Sequence, residues 1–128
     1  MKDYVSYVYN ETDRPKTAYP GELVKYLIQR CNIRESSKVL DLGCGRGDFA
    51  DAFRKSGMKV SGVDISDNVT KHYPQIGFAS CDFTKDHLPY KDGEFDVVFS
   101  KSVIEHLYYP EKLFLEAKRV LCRGGVLI

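Results

Sequence analysis

The 128-residue sequence has almost no net charge and no long apolar run. A membrane-spanning helix needs about 18 consecutive apolar residues, and no stretch approaches that length. The 19 basic and 18 acidic residues nearly cancel, so neither a nucleic acid nor an anionic membrane is expected as the main partner. Residues 1–9 lack the apolar core of a secretory signal. We therefore expect a cytoplasmic protein with one domain over residues 1–128.

Cysteine is present but is not spaced for metal binding. No C-x-x-C pair occurs among the four cysteines, Cys31, Cys44, Cys81 and Cys122. The usual spacing of zinc and dithiol redox sites is therefore missing. Because a cytoplasmic protein keeps its thiols reduced, we expect four free cysteines and no metal site.

The stretch around three alternating glycines is the most informative part of the sequence. An apolar strand is predicted over 38–42, and apolar residues at helical spacing predict a helix over about 47–56. Gly43, Gly45 and Gly47 lie between them, and glycine permits a tight turn where backbone approaches a ligand. A helix N-terminus also gathers free N–H groups and the positive end of the helix dipole. The stretch is typical of a nucleotide-type site in an α/β sheet.

The spacing of the glycines distinguishes between nucleotide classes. A dinucleotide fingerprint, G-x-G-x-x-G, would need glycine at position 48, where the residue is Asp48. The chain has G-x-G-x-G instead, with Asp41 two residues before the first glycine. Asp41 before the glycine turn and Asp48 at the start of the helix suit a cationic ligand better than a pyrophosphate. The motif alone also leaves open a tight strand–helix turn that binds nothing.

The rest of the pattern alternates helices and strands. Helices are expected over about 20–31 and from Pro110, where the apolar face includes Phe114, and strands over 58–63, 76–80, 95–100 and from 126. This alternation predicts a parallel sheet with helices on both faces and a ligand beyond the carboxyl ends of its strands. Asp64 lies at such an end, about 20 residues after the glycine turn. A carboxylate there can accept from both hydroxyls of a ribose.

The segment Asp41-Leu42-Gly43-Cys44-Gly45-Arg46-Gly47 resembles motif I of the class I S-adenosylmethionine-dependent methyltransferases. The pair Glu105-His106 is common in their UbiE-like, or type 11, branch. The resemblance covers about residues 35–128. It implies a three-layer α-β-α fold with strand order 3-2-1-4-5 and one cofactor-binding domain.

The resemblance also implies roles for individual residues. Asp82 would accept from the adenine amino group, and the backbone N–H of Phe83 would meet a ring nitrogen. Residues 100–102 would flank the methionine moiety. The expected cofactor contacts are Asp41, Gly43, Cys44, Gly45, Asp64, Ile65, Asp82, Phe83 and Ser100. His106 is the candidate general base, because histidine titrates near neutrality, and a base is needed only if the acceptor loses a proton.

We therefore expect an enzyme that transfers a methyl group from S-adenosylmethionine to a small-molecule acceptor and leaves S-adenosylhomocysteine. One alternative is a methyltransferase-like module that binds the cofactor or a partner without turnover. Another is a nicotinamide-dependent oxidoreductase, which Asp48 disfavours. Sugar, quinone precursor, polyketide and small amine all stay open as acceptors.

Two expectations concern the ends of the sequence. Residues 1–19 are rich in tyrosine and poor in periodicity, which predicts a loosely held arm; the resemblance suggests a lid that orders on ligand binding. The fold it implies usually continues with a helix and strands 6 and 7, which are absent after the strand from 126. We expect either a fragment of a longer protein or self-association through the strand 5 edge. We also expect cofactor binding to be retained better than catalysis.

Overall fold

Five parallel strands form the sheet that the alternating pattern predicts. The structure is a computed structural model that describes residues 10–128. The strands are β1 (Lys38–Leu42), β2 (Lys59–Asp64), β3 (Gly77–Ser80), β4 (Phe95–Phe99) and β5 (Leu121–Leu127), in the order β3-β2-β1-β4-β5. The helices are α1 (Tyr19–Arg30), α2 (Asp48–Lys55), α3 (Val69–His72) and α4 (Pro110–Val120), and Ile104–His106 is a 3-10 turn. The α/β fold class and the strand order are confirmed.

Helices cover both faces of the sheet because alternate residues of its central strands point in opposite directions. On one face, Leu40 of β1 packs in a buried cluster with Leu113 of α4. On the other face, Val39 packs with Val24 of α1 and Phe53 of α2. A parallel sheet buried on both sides reads as a nearly continuous apolar run, as β1 does.

The buried side of α4 includes Leu113, Ala117 and Val120, as helical spacing predicts, but it differs from the prediction at two positions. Phe114 is 45% exposed, whereas Glu116 is buried. Glu116 accepts hydrogen bonds from the Leu88 backbone N–H at 2.7 Å and from Arg119 at 2.9 Å, and it contacts His87 at 3.0 Å. The bond from Arg119 is the main cause that lowers the pKa of Glu116 to about 2. A buried carboxylate therefore ties α4 to the loop between β3 and β4.

The last strand, which the sequence predicts from residue 126, begins at Leu121 and contains a bulge. Phe95 pairs with Leu121 and Val97 pairs with Val126, so two steps along β4 correspond to five along β5. Gly124 has a φ of +80° in this bulge, a conformation that glycine adopts at little cost. The extra residues of β5 are thus accommodated in a bulge, and the strand stays paired with β4 on both sides of it.

Within residues 10–128, β5 pairs with β4 alone and forms one edge of the sheet. Unpaired N–H and C=O groups on such an edge can pair with another chain. Association of two copies through this edge stays a prediction, and light scattering across a range of protein concentrations tests it. A mass that stays at one chain at every concentration contradicts it.

None of the helices described between residues 10 and 128 combines the length and the apolarity needed to cross a membrane.

Candidate functional site

The glycine turn begins where β1 ends, and it is hydrogen-bonded to the neighbouring strand β2. The N–H groups of Gly43 and Cys44 both donate to the Val63 carbonyl, at 2.7 and 3.1 Å. Gly43 has a φ of +80°, and a Cβ atom there would overlap the Val103 side chain. This position therefore requires glycine for two independent reasons, its backbone conformation and its closeness to Val103.

Asp64, at the end of β2, closes the turn from the other side. One carboxylate oxygen accepts from the Gly45 N–H at 2.8 Å, and the other accepts from the Ser66 N–H at 3.2 Å. Each carboxylate oxygen has a second lone pair, so the group can accept further hydrogen bonds. Asp64 thus shapes the glycine turn while keeping acceptor capacity at the cavity wall.

Asp41 is a buried acid within the same wall. Only 3% of the residue is exposed. Burial raises its pKa to about 7, the charge of Asp64 adds to that rise, and a hydrogen bond from the Ala50 backbone opposes it. The charge of Asp64 thus disfavours the ionised form of Asp41, and a nearby cation would relieve this cost. The site therefore favours a ligand with a positive group.

These residues line a cavity of about 540 Å³ beyond the carboxyl ends of the strands. His106 and eight of the nine expected cofactor contacts lie in its wall: Asp41, Gly43, Cys44, Gly45, Asp64, Ile65, Asp82 and Phe83. Their individual roles stay predictions. These wall residues come from segments that are far apart in the sequence, as expected for a ligand site in an open α/β sheet.

Ser100 is the exception among the expected contacts. It is not part of the wall, and its hydroxyl donates to the Leu42 carbonyl at 3.1 Å. The next two residues, Lys101 and Ser102, line the cavity instead. The structure therefore gives Ser100 a place in joining β4 to β1 rather than at the cavity.

Asp82, after β3, is held in its charged form by its own loop. Its carboxylate accepts from the Thr84 backbone N–H at 3.0 Å and from the Thr84 hydroxyl. The hydroxyl bond is the largest cause of a pKa below the ordinary range. Asp82 is thus a fixed acceptor on the side of the cavity formed by β2 and β3.

Asp48 does not act as the free acid that the sequence suggested. Buried Arg46 binds its carboxylate with Nε at 3.1 Å and Nη2 at 2.6 Å. The Tyr73 hydroxyl donates to the same carboxylate at 2.9 Å. The charge of Asp48 is therefore compensated within the protein, which corrects its interpretation as an acid that serves a cationic ligand.

Arg46 also fastens the segment before α1 to the glycine turn. Its Nη1 donates to the Arg14 carbonyl at 2.6 Å, and Lys16 Nζ lies 4.7 Å from the centre of the Tyr73 ring. Arg14 and Lys16 therefore contact the glycine-turn region, although residues 11–19 are exposed, and the loosely held arm stays a prediction. Residues 1–9 of the expected lid lie outside the described residues, and ordering on ligand binding stays a prediction.

Several wall residues were not anticipated: Arg46, Phe49, Thr84, Phe99, Val103 and Leu107. The apolar residues among them read as ordinary core positions in the sequence. No local pattern shows that such a residue faces a cavity rather than a neighbouring helix. Position relative to the ends of the strands, once the topology is known, is the signal that identifies them.

Metal binding finds no support in the part of the chain that the structure describes. Residues 10–128 contain no group of three or more His, Cys, Asp or Glu side chains placed to hold a metal ion. The four cysteines are free thiols. Burial raises the pKa of the Cys44 thiol, and the nearby acids Asp41 and Asp64 raise it further, so this cavity thiol is protonated and a poor nucleophile.

The side chains that line the cavity fit S-adenosylmethionine. Carboxylates at the ends of two adjacent strands and after a third can accept from ammonium, hydroxyl and amino groups, and Phe83 adds an aromatic wall. Burial and the charge of Asp64 disfavour the ionised form of Asp41, and a sulfonium held nearby would favour that form.

Comparisons with known proteins agree with this geometry. A protein-family model, type 11 of those described as a methyltransferase domain, matches residues 40–128. An uncharacterized protein of Methanocaldococcus jannaschii is 40% identical over 89 residues, which cover 70% of this chain and 42% of that protein. The ubiquinone biosynthesis O-methyltransferase of Actinobacillus pleuropneumoniae is 30% identical over 113 residues, 80% of this chain and 48% of that enzyme. The chain thus spans less than half the length of these relatives.

A solved structure shares the fold. Coclaurine N-methyltransferase, determined with N-methylheliamine and S-adenosylhomocysteine, superposes with a TM-score of 0.70. The match covers 84% of this chain and 33% of that one at 19% sequence identity. At this identity the likeness concerns the fold alone.

Proposed function

The chain belongs to the type 11 methyltransferase domain family of class I S-adenosylmethionine-dependent methyltransferases, and from that premise we propose that its cavity binds S-adenosylmethionine for methyl transfer to a small-molecule acceptor. The convergence of three acids carries the proposal. Asp41 on β1, Asp64 on β2 and Asp82 after β3 meet in one cavity wall. Their separation in the sequence makes this arrangement informative, because each acid alone has an ordinary structural explanation.

Each acid is proposed to meet a different part of the cofactor. Asp64 accepts from the ribose hydroxyls, and Asp82 accepts from the adenine amino group beside Phe83. Asp41 supports the positively charged end. When bound, the cofactor supplies an electrophilic methyl group on a sulfonium. The protein contributes mainly by holding acceptor and cofactor in line within the cavity.

His106 is the proposed general base for an acceptor that must lose a proton. It lies in the cavity wall at the end of the 3-10 turn, where an acceptor can reach it. A neutral amine acceptor would not need it during methyl transfer. The comparisons include both an O-methyltransferase and an N-methyltransferase, so they do not decide between these cases.

Replacing Asp64 by Asn tests the cofactor site. The variant keeps one oxygen for the Gly45 N–H but loses the charge and half of the acceptor capacity. We expect binding of S-adenosylhomocysteine to weaken by about ten- to a hundredfold, equivalent to about 1.5–3 kcal/mol. Isothermal titration calorimetry measures this change, with thermal unfolding to show that the variant is folded.

Asp67→Asn is the matched control, because Asp67 is an exposed acid three residues further on and outside the cavity. Its affinity should equal that of the wild type. Unchanged affinity in Asp64→Asn would remove Asp64 from the site. Stabilisation of the wild type by NAD but not by S-adenosylhomocysteine would instead favour the oxidoreductase alternative.

Methyl transfer itself requires a separate measurement. Transfer of labelled methyl from S-adenosylmethionine is followed over a panel of phenols, amines, carboxylates and sugars. A labelled product supports the enzyme. Tight cofactor binding with no product from any acceptor supports the non-catalytic module.

A further inference from the structure

Lys101 is a cation in the cavity wall that the resemblance places beside the methionine moiety but that is not among the nine expected cofactor contacts. It follows β4, and its Nζ lies 5.4 Å from the centre of the Phe49 ring. None of the ion pairs formed between residues 10 and 128 includes Lys101. An ammonium group at this distance is attracted by the aromatic face and keeps its three donors.

The contrast with Arg46 shows why Lys101 is the group to consider. Arg46 also lines the cavity, but it is buried and its guanidinium binds Asp48 and the Arg14 carbonyl. Lys101 is exposed and has a flexible stem. A ligand anion can therefore reach Lys101 without breaking an existing ion pair among the described residues.

The sheet order separates Lys101 from two of the cavity's acids. β4 lies two strands from β2, which carries Asp64, and three strands from β3, which precedes Asp82. At about 4.8 Å per strand, these distances across the sheet are roughly 10 and 14 Å. The adenosine end of the cofactor is assigned to β2 and β3, so Lys101 lies toward the opposite end of the cavity.

The wall around Lys101 is apolar and partly aromatic. Phe49 and Phe99 lie 5.5 Å apart between ring centres, and Val103 and Leu107 follow Lys101 in the same wall. Ligand sites are mostly apolar and aromatic, with a few polar groups that fix the ligand's orientation. This end of the cavity therefore suits a small ligand with a ring and an anionic substituent. An acceptor of this kind would also complement the positive charge of a sulfonium.

On the basis of the proposed methyltransferase function, we propose that Lys101 binds the anionic group of the acceptor and that the acceptor class is a small aromatic anion. The cofactor also has a carboxylate, in its methionine part. Asp48 and Phe49, the first residues of α2, have backbone N–H groups that can donate to that carboxylate, whereas the Ala50 N–H donates to Asp41. Lys101 is therefore assigned to the acceptor, and its effect on the cofactor is measured as a separate arm of the test.

A matched pair of probes tests the charge preference. The protein is saturated with S-adenosylhomocysteine and titrated with 4-hydroxybenzoate or with its neutral amide, 4-hydroxybenzamide, while amide NMR shifts are followed. Wild type is expected to bind the carboxylate about tenfold more tightly than the amide. Lys101→Gln should remove this preference and Lys101→Arg should keep it. Lys118→Gln, at an exposed lysine of α4 outside this cavity, is the control and should match wild type.

Three results would overturn the inference while leaving the proposed function standing. The first is equal binding of the two probes, or of neither, by wild type. The second is a preference that survives in Lys101→Gln. The third is weaker binding of S-adenosylhomocysteine by Lys101→Gln, which would assign the lysine to the cofactor's own carboxylate. A wild type that does not bind S-adenosylhomocysteine at all overturns the proposed function itself and this inference with it.

Discussion

Replacing Asp41 by Asn is expected to stabilise the fold at pH 8 by roughly 4 kcal/mol and to leave its stability at pH 4 nearly unchanged. The pKa of Asp41 is raised in the folded protein from 3.8 to about 7, first by burial and then by the charge of Asp64. Between these values the folded state holds a proton that the unfolded state has lost. The stability of the wild type therefore falls as the pH rises from about 4 to about 7. Asn has no charge to bury, so the variant lacks this fall.

Urea unfolding from pH 4 to pH 9 measures the effect, and Asp51→Asn provides a control of opposite sign. Burial alone would raise the pKa of Asp51, but hydrogen bonds from Lys55 and Arg54 hold it below the ordinary range. Its contribution is present at neutral pH and is lost in acid, so Asp51→Asn should be less stable than wild type at pH 7. Parallel curves for wild type and Asp41→Asn would contradict the raised pKa of Asp41.

The same Asp41→Asn variant should bind S-adenosylmethionine, which carries the sulfonium, less tightly while unfolding less easily. A buried acid that costs stability is expected to persist only where another property depends on it. If the variant gains stability and keeps full affinity, Asp41 has a structural place in the cavity wall and no part in binding the cofactor.

The regular elements were predictable because their signals are local. The strand expected over 38–42 has those bounds as β1, since an apolar run meets glycine at its end. The alternation of strands and helices also predicted the parallel sheet, and the resemblance to motif I implied its order. The positions of Asp64 and Asp82 in the cavity wall follow from that topology, because each lies at or just beyond the end of a strand.

The roles that could not be predicted from the sequence depend on hydrogen-bond partners that are distant in the sequence and lie outside the recognised motifs. Glu116 is buried because Leu88 and His87 reach it from 28 and 29 residues away. The hydroxyl of Ser100 is used by a carbonyl 58 residues earlier. Hydrophobic spacing describes how one element meets the core, but it contains no information about which polar group of another segment will be placed opposite. Such residues become interpretable only when the tertiary contacts are known.

Replacing Gly43 by Ala is expected to lower the free energy of unfolding by about 2–5 kcal/mol and to abolish binding of S-adenosylhomocysteine. A φ of +80° costs an L-residue about 1–2 kcal/mol. The added Cβ would also overlap the Val103 side chain, and overpacking of this kind costs about 1–3 kcal/mol. Because Gly43 and Val103 both line the cavity, the shift that relieves the overlap moves the cavity wall.

Gly124→Ala separates the two causes, because Gly124 has the same φ of +80° and nothing within 4 Å of the added Cβ. This control should lose only the conformational part, about 1–2 kcal/mol, and should bind S-adenosylhomocysteine like wild type. Chemical unfolding and calorimetry are measured on both variants. Equal losses of stability would show that the contact between Gly43 and Val103 has no energetic effect. Full affinity in Gly43→Ala would show that the glycine turn does not form the cofactor site.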